Sequence, residues 1–489
     1  MIALFYLLNL IIKVFSIDQL RWSFELINHG ARSPHFGLDS NLNDFMNHTW
    51  IGQNELTGVG LRQSFLVGYR DRLRYIEDNE LISGEYDPRD ILIYASENNK
   101  TLMSANALLH GLFLPGTGPQ IDPSLVDRAV PPVDQSTYID EKQELDQDNC
   151  TALPGRMNLV PVHIFFSHEY FTQYENSKKC KGLKSYEEKN RNRNEVKTFL
   201  EDVSQKYGEQ LINIFKDKNS DLLKDYEFAY YFFDTVISLY FDGADEFDEL
   251  VNILKTDEKT LLDNCYKFLF MNTVGNGINN DREFVDYLVS PLFSKLLTYI
   301  DYRIEKDLKG ELNYKGYDLP KYFILSGVSN SCGAFMSFMN KYFNTPVKYA
   351  NFSTNLHIDL FLENSEKGNI SASDYRIEYY YNDDFLLSIK YEDFKNKIKK
   401  KLLNKEQINE FCQGEEDDDD DDKLFYIIGA IIGSLIVIIC LIIIIVIILK
   451  KRRKNKEGDA TDETKGDKEK LLRDTNRTSV DTENNGNAE

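Results

Sequence analysis

The chain of 489 residues is poor in positive charge: 57 lysines and arginines stand against 79 aspartates and glutamates, giving a formal net charge of −22. This balance excludes proteins that bind nucleic acid through a broad basic face, and an anionic ligand would need a local basic pocket. Cysteine is also scarce, with six residues and no CxxC or Cys/His cluster, so the sequence predicts no metal site. No internal repeat indicates a solenoid.

Two long apolar runs are present. Ile2–Ile12 is too short to cross a bilayer and lies at the N-terminus, which is typical of a signal peptide. A buried N-terminal strand or helix is the alternative. Leu424–Leu449 carries no charge and would be about 39 Å long as a helix, which predicts one transmembrane helix.

Opposite charges flank the second apolar run. The acidic run Glu415–Asp422 precedes it, and the basic run Lys450–Lys454 follows it. The positive-inside rule therefore predicts a single-pass type I membrane protein. Its N-terminal domain would be extracellular or in a lysosome- or vacuole-like lumen.

The predicted lumenal part has the features of an exported glycoprotein. Five cysteines precede the predicted transmembrane helix, enough for two disulfides and one buried thiol. The N-glycosylation sequons begin at Asn47, Asn99, Asn149, Asn351 and Asn369.

Strand-like and helix-like segments alternate at both ends of the lumenal part. Trp22–His29 and Ile91–Ser96 are predicted strands, each followed by a loop and a helical pattern, and Lys321–Gly327 is a third. The region between has long helical patterns and few strand signals. We therefore predict an α/β fold, a flanked mixed or parallel sheet with an inserted helical cap. The predicted divisions are 1–17 for the signal peptide, 18–149 and 301–412 for the α/β core, 150–300 for the cap, 413–423 for an acidic spacer, 424–449 for the transmembrane helix and 450–489 for a disordered tail.

The most informative segment is Glu25–Gly37, ELINHGARSPHFG, in which a strand ends and a loop follows. His29 and Arg32 in this loop, with Gly30 and Pro34, suit the floor of a phosphate site, because a guanidinium binds phosphate through two parallel hydrogen bonds. The segment NHGARSP resembles the RHGxRxP signature of the histidine acid phosphatases.

Three further segments resemble the same family, in its order and with similar spacing. NNKTLMSANALLHGLFLPG, Asn98–Gly116, resembles its second phosphate-binding segment, and Lys321–Asn340 resembles its SGHDTT strand-turn-helix. The runs Tyr349–Glu363 and Tyr375–Leu387 resemble its C-terminal strand pair. The chain is therefore identified as a membrane-anchored member of the histidine acid phosphatases, branch 2 of the histidine phosphatase superfamily.

This resemblance implies a chemistry as well as a fold. In the family, a histidine attacks the phosphoryl group and becomes phosphohistidine, while arginines and a second histidine bind the phosphate oxygens. An aspartate beside that second histidine protonates the leaving group. The resemblance also implies a disulfide between Cys150 and Cys412, and with it a second between Cys180 and Cys265.

Only part of this machinery is present. His29 matches the nucleophile and Arg32 a phosphate-binding arginine, while Lys100 replaces another arginine and keeps its charge without its planar fork. Three family positions are substituted: Asn28 replaces an arginine, and Val328 and Ser329 replace the histidine and the aspartate. Because a placed acid supplies about 10²–10⁴-fold in rate, the sequence predicts lost or strongly reduced acid phosphatase activity.

Two other functional interpretations are open: an active acid phosphatase with an altered mechanism, and a receptor or adhesion module that uses the phosphatase fold. The predicted ligand is phosphate or a phospho-ligand, with no cofactor and no nucleic acid, and the sequence specifies no oligomeric state. We interpret the string His357–Asp359 as a half-exposed, structural strand face and His35 as a surface histidine.

Overall fold

The computed structural model describes residues 18–35, 48, 50, 52–147, 150–165, 180–215, 221–272, 284–363, 370–413 and 445–448. The predicted signal peptide and cytoplasmic tail lie outside these residues, as do the sequons at Asn47, Asn149 and Asn369. Only 445–448 of the predicted transmembrane run are described. Within the described ranges, no helix has both the length and the apolar character needed to cross a membrane.

A seven-stranded mixed sheet organises the residues described up to 413. In spatial order its strands run β3-β2-β4-β1-β5-β6-β7. The first four are mutually parallel, and β5, β6 and β7 are each antiparallel to the preceding neighbour. The strands are β1 Gln19–Asn28, β2 Ile91–Ala95, β3 His163–Ile164, β4 Tyr322–Gly327, β5 Asn355–Leu362, β6 Tyr375–Tyr381 and β7 Asp384–Lys390. The predicted α/β fold class with a mixed sheet is confirmed.

Helices cover both faces of the sheet and fill the long connection from β3 to β4. The α-helices of the described residues are α1 Gly58–Asp71, α2 Asn99–Leu112, α3 Ile139–Gln147, α4 Lys181–Arg191, α5 Asn194–Phe215, α6 Tyr226–Asp242, α7 Asp245–Ile253, α8 Glu258–Asn272, α9 Phe284–Leu308, α10 Ser329–Phe343, α11 Tyr391–Ile398 and α12 Lys405–Gln413. A π-helical turn, Arg72–Asp78, continues α1.

Successive side chains of β1 point to opposite faces of the sheet, and each face has its own core layer. Phe24 points to the face covered by α9 and α10, where its ring lies 5.9 Å from that of Phe335. Ile27 points to the opposite face and joins a second core with Ile93 and Leu108. Complete burial of such side chains contributes roughly 1.5–3 kcal/mol each, so these two layers stabilise β1.

Helices α4 to α8, residues 181–272, form what we call the helical insertion. Helices α5 to α8 have a hydrophobic core of their own, in which Phe233 and Leu250 are fully buried. Asp225 caps the N-terminus of α6 by accepting a hydrogen bond from the Phe228 amide, and Gly243 ends the helix in the left-handed conformation. Helix α6 is thereby a well-defined element, and it brings one residue to the site described below.

The disulfide pairing implied by the family resemblance was wrong. Cys180 is bonded to Cys412, while Cys150 and Cys265 are free thiols. The reason is helix packing: α4 begins next to Cys180 and lies against α12, with Gly182 so close to Phe411 that an added Cβ would lie 2.5 Å from the Phe411 ring. Cys265 is instead buried in the core of the helical insertion.

Candidate active site

The candidate site lies at the carboxyl edge of the parallel strands. Strands β1 and β4 are paired in register, with Asn28 opposite Gly327, so His29 and Val328 leave neighbouring strands side by side. Strand β2 pairs with the other edge of β4 and leads to α2, which carries Lys100. The structure therefore brings three of the predicted segments together at one edge of the sheet, where parallel α/β sheets bind ligands.

A close backbone contact holds the loop after β1 against the start of α1. A Cβ on Gly30 would lie 2.2 Å from the Gly60 carbonyl oxygen, so only glycine fits there. The Gly30 amide donates to Ser104 Oγ at 3.0 Å, and the Ala31 amide donates to Gln63 Oε1 at 2.9 Å. These bonds place His29 between α1, α2 and the sheet.

His29 is buried and in the tautomer needed for a nucleophile. Its Nδ1 lies 2.9 Å from the Gly30 carbonyl oxygen, and because a carbonyl only accepts, Nδ1 carries the hydrogen and Nε2 keeps its lone pair. Burial, with the charges of Lys100 and Arg32, lowers the pKa of His29 well below its usual value, although the bond to Gly30 acts in the opposite direction. The imidazole is therefore neutral and nucleophilic in mildly acidic solution.

Arg32 is bound by a carboxylate that the sequence did not lead us to expect. Its Nη1 and Nη2 donate to Asp234 of α6 at 3.1 and 2.7 Å. The two side chains are only 9% and 8% exposed. Burial alone would raise the pKa of Asp234, but the charge of Arg32 and its hydrogen bonds outweigh burial and lower it. Asp234 therefore stays ionised and does not replace the missing proton donor.

The sequence contains one signal that could have revealed Asp234. It stands in FAYYFFDTVISL, where the residues around it are apolar or uncharged and most are buried. A carboxylate on the buried face of a helix needs a cation, because an unpaired buried charge is costly. The sequence alone does not say which cation.

Lys100 adds a second positive charge to the site, and His35 lies beside it. Lys100 is buried, and its Nζ donates to Asn54 Oδ1 at 2.7 Å. His35 is half-buried rather than on the surface, and its amide donates to Asp234 at 2.8 Å. Burial, together with Arg32 and Lys100, lowers the pKa of its ring. We call His29, Arg32, Lys100 and Asp234 the nucleophile cluster.

The substituted family positions lie beside His29 but offer neither a cation nor an acid. Asn28 donates through Nδ2 to the Asn351 carbonyl at 2.8 Å and to the Ala350 carbonyl at 3.2 Å, so it is tied to the loop before β5. Val328 is the residue before α10, and Ser329 is its first residue; both are half-buried. A hydroxyl at Ser329 has no acidity at mildly acidic pH.

The string His357–Asp359 lies away from the nucleophile cluster, in a second cluster. The prediction that this strand face is half-exposed was wrong, since His357 and Asp359 are 1% and 0% exposed. They are buried because β5 pairs with β1 under the end of α1, where Arg70, Arg74 and Tyr75 cover them. We call this second cluster the strand-face network; it consists of Glu25, Asp71, His357, Asp359, Arg70, Arg74 and Tyr75.

Within the strand-face network, three groups could hold a metal ion by distance alone. One ligand atom each of Glu25, Asp71 and His357 lies within 4.8 Å of the others. However, Arg70 Nη2 is 2.7 Å from His357 Nε2 and 2.9 Å from Asp71 Oδ1. A guanidinium thus already supplies the positive charge, and these residues do not fit a metal ion.

The seven-stranded mixed sheet with its flanking helices is consistent with an α/β phosphatase fold. The chain belongs to the histidine phosphatase superfamily (branch 2), whose family model matches residues 21–300. It is 32% identical over 130 residues to lysosomal acid phosphatase of Xenopus laevis, covering 25% of this chain and 29% of that protein. It is 30% identical over 96 residues to lysophosphatidic acid phosphatase type 6 of Mus musculus, covering 19% and 23%. The matched segments thus span less than a third of either relative's length.

A solved structure of similar architecture is the Hafnia alvei phytase in its apo form. The similarity covers 79% of this chain and 97% of the phytase, with 11% sequence identity and a TM-score of 0.42.

Proposed function

We propose that this protein is a histidine acid phosphatase-family member with lost or strongly reduced phosphatase activity, whose site keeps the capacity to bind phosphate or a phospho-ligand. The observation that carries the proposal is the pair Val328–Ser329 beside His29, where the family has its second histidine and its acid. His29, Arg32 and Lys100 supply the remaining nucleophile and positive charge.

The chemistry of phosphoryl transfer explains why this loss matters. His29 Nε2 would form a P–N bond while the ester P–O bond breaks, and the departing oxygen takes the bonding electrons. That oxygen needs a proton, which a placed acid delivers with a rate gain of about 10²–10⁴-fold. Arg32 and Lys100 would stabilise the charge on the equatorial oxygens, but they supply no proton to the leaving group.

The test is a phosphatase assay between about pH 4 and 6 with two substrates, an aryl phosphate and an alkyl phosphate. We expect little or no turnover, and any turnover confined to the aryl ester, because a phenolate leaves without much help from an acid. Turnover within about tenfold of ordinary enzyme values, roughly 1–10³ s⁻¹, on both esters and abolished by His29→Ala would reject the proposal. It would favour the active phosphatase with an altered mechanism.

We also propose a single-pass type I topology with the phosphatase-like domain outside the cytosol. The uncharged run 424–449 between an acidic and a basic segment supports this topology. Protease treatment of sealed membranes tests it: we expect loss of a C-terminal tag and protection of the N-terminal domain. Release of the whole protein from membranes by alkaline carbonate would contradict the proposal.

A further inference from the structure

The contact between Arg32 and Asp234 has the form of a ligand contact. Two guanidinium nitrogens face two carboxylate oxygens, the same paired geometry in which arginine binds phosphate. The distances are 2.7 and 3.1 Å, and both side chains are more than nine-tenths buried. The carboxylate therefore uses the two donors that a phosphate in this site would need.

Arg32 Nη1 also donates to the Ser33 carbonyl oxygen at 2.8 Å, but the guanidinium is not fully satisfied. Arg32 Nε is buried and has no hydrogen-bond partner among the described residues. A carboxylate has two oxygens, both already used by Arg32 and by the His35 amide. Phosphate could bind the guanidinium through its two terminal nitrogens, as Asp234 does, or through Nε and one terminal nitrogen. The guanidinium is thus incompletely satisfied by its internal partner.

The two partners come from different parts of the molecule. Arg32 belongs to the loop after β1, and Asp234 belongs to α6 of the helical insertion. Helix α6 also carries Asp242, whose Oδ2 lies 2.7 Å from His48 Nε2. Rotation of the Asp234 side chain, or a movement of α6, would remove the carboxylate from Arg32.

We propose that Asp234 is a built-in competing anion, which occupies Arg32 and must be displaced before phosphate or a phospho-ligand binds at His29. The inference rests on the anion-binding part of the proposed function. Acid alone does not open the site, because the pKa of Asp234 is lowered and the carboxylate stays charged at mildly acidic pH.

The experiment is calorimetric titration of the full-length protein with inorganic phosphate, for the wild type, Asp234→Asn and Asp234→Ser. We expect both variants to bind phosphate at least about tenfold more tightly than the wild type, since the competing charge is gone. Adding Arg32→Ala to Asp234→Asn should abolish the gain.

Asp307→Asn is the matched control. Asp307 makes a buried, two-bond pair with Arg21 through Nε and Nη2 at 2.9 and 2.7 Å, away from His29. We expect this variant to lose stability without any change in phosphate affinity. In thermal unfolding, phosphate should stabilise Asp234→Asn and not Asp307→Asn.

The outcomes separate the two proposals. Suppose that the wild type binds phosphate and that the folded Asp234 variants bind it no more tightly. Asp234 is then not a competitor, but the proposed anion site stands. If no protein binds phosphate, the anion site and the inference both fall. If the variants fold only when phosphate is present, the anion has replaced the carboxylate, as proposed. If they fold under neither condition, the pair is structural and the inference is rejected.

Discussion

The two buried charge clusters, the nucleophile cluster and the strand-face network, differ in the elements that supply their opposite charges. In the strand-face network, cations and anions come from β1, β5, α1 and the turn that continues α1, which pack on one another within the sheet domain. In the nucleophile cluster, the cations belong to the sheet domain and the anion to the helical insertion. Both clusters obey the rule that buried charges need partners.

The two arrangements differ in what holds each arginine. Arg70 is bonded through Nη1 and Nη2 to partners that flank it within one structural layer, although its Nε, like that of Arg32, is buried without a partner among the described residues. Arg32 depends on a side chain from a separate core. The first arrangement fixes the register of β1 and β5, whereas the second leaves an ion pair that a stronger anion is able to break.

Restoring the missing family residues beside His29 should have the largest effect. The change is Asn28→Arg with Val328→His and Ser329→Asp, made in the wild type and in Asp234→Asn. We expect alkyl phosphatase activity to rise by about 10²–10⁴-fold, the contribution of a placed acid to a poor leaving group, and to rise further when Asp234 is neutralised. Turnover with an alkyl phosphate measures the effect, and the gain on an aryl phosphate should be smaller. Addition of His29→Ala should remove the gain, and a gain that persists without His29 would contradict the assigned nucleophile.

Removing the internal cation of the strand-face network should have the next largest effect. Arg70→Ala leaves the buried Asp71 and Glu25 carboxyls without their nearby positive charge. We expect the free energy of unfolding to fall by about 3 kcal/mol, as measured by urea denaturation, and phosphate should not restore it. Arg89→Ala, which removes an exposed partner of Asp87, is the control and should leave stability nearly unchanged. A loss no larger than that of the control would show that the network does not depend on Arg70.

The smallest predicted effect is a pH dependence that both clusters share. The pKa values of His29 and His357 are lowered well below 6.5, mainly by burial. Below about pH 6.5 the unfolded chain takes up protons that the folded protein does not, so these two groups make stability fall with falling pH, by up to about 1.4 kcal/mol per pH unit each.

Urea denaturation between about pH 7 and 5 measures this slope for the wild type, His29→Gln and His357→Gln. Each variant should lose stability less steeply than the wild type. In the wild type, phosphate should reduce the part of the slope that is due to His29, because a bound anion favours the imidazolium ion. An unchanged slope in His29→Gln would mean that the ring already titrates normally in the folded protein.

Much of the fold was predictable from the sequence because its signals are local. Alternating apolar residues marked β1 and a short apolar run marked β4; the loop glycine, the histidine and the start of α10 follow directly from the strand ends. Parallel pairing then brought His29 next to Val328, as the family resemblance implied. The ion pair between Arg32 and Asp234 was not predictable, because Asp234 is about two hundred residues away and belongs to a separately packed core.

The same reasoning explains the errors. Cysteine positions do not reveal which helices meet, and the contact of α4 with α12 selected Cys412 for Cys180. Residue alternation correctly placed His357 and Asp359 on one face of β5. It did not show that the end of α1 covers that face, since the contact joins segments far apart in sequence.

The Cys180–Cys412 bridge determines how the domain would carry mechanical load. Chain tension applied beyond Gln413 reaches Cys412 first and passes through sulfur to Cys180, at the entrance of the helical insertion. Cys180 lies in the core that also contains Phe24 of β1. A pull on the C-terminal end would therefore load the core beside the sheet at a point 232 residues earlier in the chain.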